Sequence, residues 1–356
     1  MILILQKEAS QEQVEAICCA LERMKLTGEA LSSGGGTVIT VLEDVTEISS
    51  HVFSQLPGVE KVVRVQGEAK LATKIGLPLI ELKNGVRFGA GQAPVVIGGP
   101  CSVEGQAQIL HNARRVKDAG ARMLRGGAYK PRSSPYEFQG LGLEALQYLA
   151  EASQQTSLPV VSEVMTPEQV ELALSFVDML QVGARNMYNY ELLKELGKSS
   201  HPILLKRAFS ATISEWLNAA EYIMSGGNQK VILCERGIRT FETATRNTLD
   251  LSAVAVVKKS SSLPVLVDPS HGTGRKDLVR VMSRAAIACG ADGLIIEVHD
   301  CPEKAFSDGH QAITPEMLKE IVIDTQQIHA LFNPVATSLQ AGSDSLPAVA
   351  GRAAVC

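Results

Sequence analysis

VVIG (95–98), RMLRG (122–126), VVSEV (160–164), MLQVG (179–183), ILLKR (203–207), VILCER (231–236), VLVDP (265–269) and GLIIEV (293–298) are eight short, nearly continuous apolar runs. Apolar stretches of this length, without alternation, mark parallel strands buried on both faces. Helical patterns lie between them, near 104–118, 141–156, 167–176, 189–197, 212–225, 242–259 and 275–289, and a last one follows near 314–331. Eight β/α repeats in about 240 residues match a closed (β/α)8 barrel, so an α/β fold of the TIM-barrel type is expected over residues 94–331. A doubly wound open sheet is the alternative, but eight uninterrupted alternations favour closure.

Upstream, residues 1–66 form a separate unit. Met1 to Leu5 are mostly apolar, and Val14, Ile17, Leu21 and Met24 repeat at helical spacing. Strands are expected at 26–32 and 37–42 around Gly34-Gly35-Gly36, a second helix near 46–54, and a strand from Val59 to Val65. The order βαββαβ is that of a small α+β ferredoxin-like domain, whose role is either binding or packing and oligomerisation. Residues 67–93 read as a linker with a hairpin at ELKNGVRFG, since Asn84-Gly85 suits a type I′ turn. The tail 332–356 is rich in Ala, Ser, Gly and Pro without apolar periodicity and is expected to be disordered.

The 356 residues, 45% hydrophobic and 20% charged, suit a soluble globular protein of two domains. A net charge of −4 offers no global basic field, so neither nucleic acid nor a membrane surface is an expected partner. No apolar run reaches membrane-spanning length and MILILQKE is too short for a signal-peptide core, so a cytoplasmic location is expected. Seven cysteines without C-x-x-C spacing suggest neither a disulfide framework nor a zinc ribbon.

In a closed barrel the chemistry sits where the strands end. The eight runs end, in order, at Cys101-Ser102, at Arg125 with Lys130 and Arg132, at Glu163, at Arg185, at Lys206-Arg207, at Arg236, at Asp268 with His271, and at Glu297 with His299. Asp308 follows in the last loop. One polar strand end is an ordinary solvated loop flank, but eight of eight are not. Cys101, His271, Glu297 and Asp308 make a mixed soft and hard donor set suited to a borderline divalent cation such as Mn, Fe, Co or Zn. Taken singly, each has a structural explanation, and their convergence requires the first, seventh and eighth strands to adjoin. Arg125, Lys130, Arg132, Arg185, Lys206 and Arg236 place six cations around one mouth of an acidic protein. Such a cluster calls for an anion, phosphorylated or carboxylated, which guanidinium groups match bidentately. Arg132, and Arg207 next to Lys206, are the cations best explained as side chains pointing elsewhere.

The motifs GGPCSVE (98–104), RGGAYKPRSSPYEFQGLG (125–142), SEVM (162–165), GARN (183–186), LLKR (204–207), CERGIRTFETATRNTLD (234–250), DPSHGTGR (268–275), IEVH (296–299) and SDGHQ (307–311) together resemble the type I beta group of 3-deoxy-D-arabino-heptulosonate 7-phosphate (DAHP) synthases, including members with an N-terminal ferredoxin-like domain. The resemblance runs from residue 1 to about 331 and implies condensation of phosphoenolpyruvate with erythrose 4-phosphate, the first step of the shikimate pathway and of aromatic amino acid and chorismate biosynthesis. It assigns one divalent metal per subunit to Cys101, His271, Glu297 and Asp308. Phosphoenolpyruvate goes to Arg125, Lys130, Arg185, Lys206 and Arg236, with Glu163 and Ala184 nearby. Pro131, Arg132 and Ser133 receive erythrose 4-phosphate, together with Asp308. Many relatives have Thr where this chain has Ser133, and the hydroxyl is kept.

Lys130, with Cys101 and His271, is expected to carry the catalysis. Lys130 acts either as a proton donor with a depressed pKa or as an anion clamp. The resemblance also implies a homotetramer and feedback inhibition by tyrosine or phenylalanine through residues 1–66. The rivals are 3-deoxy-D-manno-octulosonate 8-phosphate synthase, which typically reads Lys-Ala-Asn-Arg-Ser where this chain has Lys-Pro-Arg-Ser, and a noncatalytic amino-acid-binding regulator on an inactive barrel.

Overall fold

A computed structural model describes residues 1–333 except 7–8, 34–35, 42–44, 46–47, 64–68, 75, 77–78 and 133. Ser133 and the tail beyond Asn333 therefore lie outside the described residues. Contacts divide the chain into two compact units, Met1–Glu68 and the remainder from Ala69.

In the first unit, β1 (Ile2–Leu5), β2 (Gly28–Ser33), β3 (Gly36–Val41) and β4 (Val59–Val63) form an antiparallel sheet in the order β2-β3-β1-β4. Helices span Gln11–Arg23 and Ser50–Ser54. Ser10 starts the first by a capping box: its hydroxyl accepts the Gln13 amide while the Gln13 side chain accepts the Ser10 amide. Val14, Ile17 and Leu21 from that helix pack on Leu3, Leu5, Ile39 and Phe53. This is the expected βαββαβ ferredoxin-like arrangement.

The second unit opens with a hairpin, β5 (Ile80–Glu81) against β6 (Arg87–Phe88). Asn84 and Gly85 at its turn have φ of 59° and 68°, the left-handed pair that a type I′ turn needs. This hairpin is more than a linker. Ile80, Leu82, Val86 and Phe88 are buried in one cluster with the inward side chains of the barrel, so the hairpin plugs the barrel's interior. Residues 69–74 are likewise fastened to the barrel unit: Ala72 is buried in its outer core, and the Leu71 and Ala72 amides donate to Glu221 at 2.9 Å.

The barrel strands are β7 (Val95–Gly99), β8 (Met123–Arg125), β9 (Val160–Val164), β10 (Met179–Val182), β11 (Ile203–Lys206), β12 (Val231–Glu235), β13 (Val265–Val267) and β14 (Gly293–Glu297). All pair in parallel with their sequence neighbours, and β14 pairs with β7, closing the ring. Seven of the expected apolar runs contain one of them, and β7 extends the first run by one residue, to Gly99.

Alternation within the strands sorts two cores. Ile97, Met123, Val161, Met179, Leu204, Ile232, Leu266 and Ile295 fill the barrel. Their neighbours Val96, Leu124, Val160, Leu180, Leu205, Leu233, Val267 and Ile296 pack outward on the helices. The helix expected at 242–259 begins only at Leu251, where Asp250 caps it. The residues before it instead form a loop bridged antiparallel at Ile238 and Thr248. A short helix at Pro269–Thr273, absent from the sequence reading, places His271 just beyond β13.

Candidate active site

Period-two alternation decides which strand-end side chains reach the lumen. Arg125, Glu163, Lys206, Asp268 and Glu297 each stand two residues beyond an inward-facing position, so they continue the barrel's interior as its polar roof. Arg207 has the opposite parity. It is buried beneath the loops, with Nη1 3.0 Å from Glu235 Oε2 and 2.9 Å from Asp250 Oδ2, and its guanidinium lies over the Trp216 ring. Lys206 belongs to the site and Arg207 to the scaffold.

The donor atoms of Cys101, His271, Glu297 and Asp308 all lie within 4.8 Å of one another. Cys101 Sγ is 3.2 Å from Asp308 Oδ2, and His271 Nε2 is 3.1 Å from Glu297 Oε1. Glu297 is wholly buried, and Arg125 Nη2 approaches the same oxygen at 3.3 Å. Neither neighbour gives that oxygen a well-directed hydrogen bond. A buried carboxylate oxygen left in this condition, beside a thiol, an imidazole and a second carboxylate, fits a borderline divalent cation.

The supporting residues orient the donors. His271 Nδ1 lies 2.7 Å from Asp268 Oδ2, which also holds Lys206 Nζ at 2.5 Å. Burial pushes the His271 pKa down, but Asp268 and Glu297 outweigh it and bring it up to about 9. The same contacts hold Asp268 well below the usual carboxylate range despite its burial. Gln311 Nε2 donates to Glu297 Oε2 at 2.6 Å, while its Oε1 accepts from Arg246 at 3.0 Å.

Lys130 Nζ lies 2.9 Å from Cys101 Sγ and 3.0 Å from the Cys101 carbonyl. Of the two roles the sequence leaves open for Lys130, the proton donor with a depressed pKa does not match its surroundings, whereas an anion clamp does. Burial does push the pKa down, but Cys101, Glu163 and Glu297 overcome the penalty and raise it.

Beside the four donors opens a cleft of about 260 Å³ lined by, among others, Lys130, Pro131, Arg132, Glu163, Ala184, Arg185, Lys206, Arg236, His271 and Asp308. Arg125 sits just beneath, sharing a smaller recess with Cys101, Lys130 and Glu163. Both Arg125 and Arg236 are buried, and each has an Nη1 without a hydrogen-bond partner. Arg132 lines the cleft while bonding to Ser307 Oγ and, at 3.1 Å, to the Phe138 carbonyl. His299 stands outside the donor cluster, 3.6 Å from Glu104.

Sequence reasoning assigned no role to Asp268, Phe209, Arg246 or Gln311. The parity of β13 and the three-residue step to His271 were enough to find Asp268. Arg246 and Gln311 lie inside quoted motifs, but nothing in the sequence marks Phe209.

A model of the DAHP synthetase I family matches residues 77–332, and one of the DAHP synthase ferredoxin-like domain matches residues 1–67. The chain belongs to the DAHP synthetase I family. It is 45% identical over 331 residues to a phospho-2-dehydro-3-deoxyheptonate aldolase of Thermotoga maritima, covering 92% of this chain and 97% of the relative. A 2-dehydro-3-deoxyphosphooctonate aldolase of Syntrophotalea carbinolica is 31% identical over 264 residues, covering 69% of this chain and 94% of the relative. A crystal structure of the Thermotoga maritima DAHP synthase superposes with a TM-score of 0.80 at 44% identity, covering 94% of this chain and 97% of that one.

As a DAHP synthase family member the chain is an enzyme, an aldol-type transferase of the shikimate pathway's first step, from a metal-dependent family. Among the described residues, no helix is long and apolar enough to cross a membrane.

Proposed function

We propose that this chain condenses phosphoenolpyruvate with erythrose 4-phosphate and water to give DAHP and inorganic phosphate. The observation that carries the reading is the convergence of the Cys101, His271, Glu297 and Asp308 donor atoms beside a cleft with unpaired guanidinium groups.

In this reading Cys101, His271, Glu297 and Asp308 hold one divalent ion of the Mn, Fe, Co or Zn type. When bound, it supplies Lewis-acid polarisation of the aldose aldehyde. Asp268 accepts the His271 Nδ1 proton and directs Nε2 at the donor centre. Arg185, Lys206 and Arg236 hold the phosphate and carboxylate of phosphoenolpyruvate, with Arg125 behind them, so that C3 faces the aldehyde carbon. Ala184 and Glu163 complete that wall of the cleft. Arg132 and Ser133 receive the phosphate of erythrose 4-phosphate, with Pro131 fixing the backbone of that segment.

Lys130, kept as an ammonium by its acidic surroundings, clamps the anion and offers its Nζ proton to the aldehyde oxygen as the C–C bond forms. Water then adds at C2, its proton returning to the Lys130 amine, and the phosphate leaves by C–O cleavage into the cations that already hold it, taking the proton of the C2 hydroxyl as the ketone forms.

Feedback control by tyrosine or phenylalanine through residues 1–66 belongs to the same proposal and is supported by the match to the ferredoxin-like domain model, while a homotetrameric assembly is proposed on the family resemblance alone.

The second reading, an octulosonate phosphate synthase, is favoured by the 31% identity to that group. Against it stand the Lys130-Pro131-Arg132-Ser133 segment and the higher identity, over nearly the whole chain, to the heptonate enzyme. A phosphate-release assay with erythrose 4-phosphate and with arabinose 5-phosphate, each with and without chelator, separates them. Chelator-sensitive release with erythrose 4-phosphate alone is expected, and release only with the pentose would overturn the proposal.

A further inference from the structure

Phe209 lies in the loop after β11 and lines the cleft. Three guanidinium groups stand over its ring, their central carbons 4.7 Å (Arg236), 4.9 Å (Arg239) and 5.7 Å (Arg185) from the centroid. All three fall within the roughly 6 Å over which a ring face attracts a cation. The Arg239 amide also donates to the Phe209 carbonyl at 2.7 Å, fixing the two loops together.

Arg185 and Arg236 need such an attraction. Among the described residues neither guanidinium has an ion pair or a hydrogen bond, and Arg236 is buried with Nη1 unpartnered. Burial lowers the Arg236 pKa, and Arg246 and Arg185 lower it further, so the pair is held against repulsion. The buried Asp268 carboxylate offsets part of this from a distance, but its Oδ2 is taken by Lys206 and His271 and it forms no ion pair or hydrogen bond with Arg236.

A carboxylate in the ring's place would pair with the guanidinium N–H groups and compete with an anionic substrate for them. An aromatic face attracts the cations without neutralising them and leaves every N–H free to donate.

We infer that Phe209 is a positioning residue whose ring face holds Arg185 and Arg236 side by side as an unneutralised pair for the phosphate of phosphoenolpyruvate. The inference rests on the reading above, in which these two arginines bind that substrate.

Fluorination tests it, because each fluorine weakens the negative ring face with little change of shape. The full-length, metal-loaded enzyme would carry fluorinated phenylalanines with one, two or three ring fluorines at position 209 only. Dissociation of phosphoenolpyruvate would be measured by calorimetry alongside kcat and both KM values. The expected result is a stepwise rise in Kd and KM for phosphoenolpyruvate reaching about tenfold, with kcat and the KM for erythrose 4-phosphate nearly constant. Phe209→Trp, the strongest cation-binding ring, would keep tight binding, and Phe209→Leu would lose about tenfold.

A flat response across the fluorinated series, with only Phe209→Leu impaired, would reduce the ring to packing and overturn the inference. Arg185→Lys and Arg236→Lys, run in parallel, keep the two readings apart. If they raise the Kd while fluorination does nothing, the ring's role alone fails. If they leave it unchanged, the assignment of the phosphate fails and takes the inference with it.

Discussion

Asp268 Oδ2 lies 2.7 Å from His271 Nδ1, and the short helix at Pro269–Thr273 that carries His271 is capped by the same carboxylate, which accepts the His271 amide at 2.9 Å. One side chain therefore sets both the position of the backbone and the tautomer of the ring, leaving Nε2 aimed at Glu297. Asp268→Asn keeps the cap but replaces the ring's charged partner with a neutral amide. Metal affinity, measured by equilibrium dialysis on the folded protein, should fall about 10- to 100-fold. Unchanged affinity would show that the imidazole is oriented by something else.

The same environment makes the metal-free protein sensitive to alkali. Burial opposes the charged imidazole, but Asp268 and Glu297 raise the His271 pKa to about 9 from an ordinary value near 6.5. A group whose pKa is raised by folding contributes stability that is complete below its unfolded value and disappears as pH rises through the folded one. The metal-free enzyme should lose this contribution between about pH 6.5 and about pH 9, as read from denaturant midpoints. The gap between wild type and His271→Gln should shrink over the same interval. A gap that stays constant from pH 6 to pH 10 would contradict the linkage.

Lys206 and Arg207 are adjacent in sequence and opposite in role. Lys206 continues the inward parity of Leu204, while Arg207 follows the outward Leu205 and is consumed by Glu235, Asp250 and Trp216. Arg207→Met leaves two acidic groups without their cation, one of them fully buried, and should cost about 3–5 kcal/mol of stability. The KM for phosphoenolpyruvate of the enzyme that remains folded should barely move. Lys206→Met should do the reverse, raising that KM at least tenfold with a smaller loss of stability. A melting experiment paired with steady-state kinetics on both variants checks the assignment.

That contrast also explains how much was legible in the sequence. The barrel could be read because strands buried on both faces are short apolar runs, and period two then tells which strand-end residue enters the lumen. Cys101, His271, Glu297 and Asp308 could be named as a donor set because closure makes the first and last strands neighbours, as the pairing of β14 with β7 does. What escaped depended on distance through space rather than along the chain. Phe209 carries no chemical mark until three guanidiniums are seen over it. The direction of the Lys130 pKa shift turned on the nearness of Cys101, Glu163 and Glu297, which together outweigh burial and the neighbouring Arg125. The late start of the helix at Leu251 reflects the bridge between Ile238 and Thr248, a pairing that an apolar pattern does not encode.

Glu104 joins the loop that carries Cys101 to the loop that carries Asp308. Its Oε1 accepts the Phe306 amide at 2.8 Å and its Oε2 lies 3.6 Å from His299 Nε2, while His299 Nδ1 accepts the Cys301 amide at 3.0 Å. Cys101 is three residues before Glu104 and Asp308 two after Phe306, so the carboxylate holds the two donors at their 3.2 Å separation from outside the cluster. Glu104→Ala releases the Phe306 amide and should weaken metal binding about tenfold. Glu104→Gln retains an acceptor oxygen for that amide and should restore most of the affinity. With cobalt as the bound ion, the thiolate-to-metal absorption band should be diminished in the alanine variant and recovered in the glutamine variant. Both variants should melt within a few degrees of wild type, because the link spans two surface loops and leaves the apolar barrel core untouched. Equal affinities in all three proteins would show that the loops hold their register without Glu104.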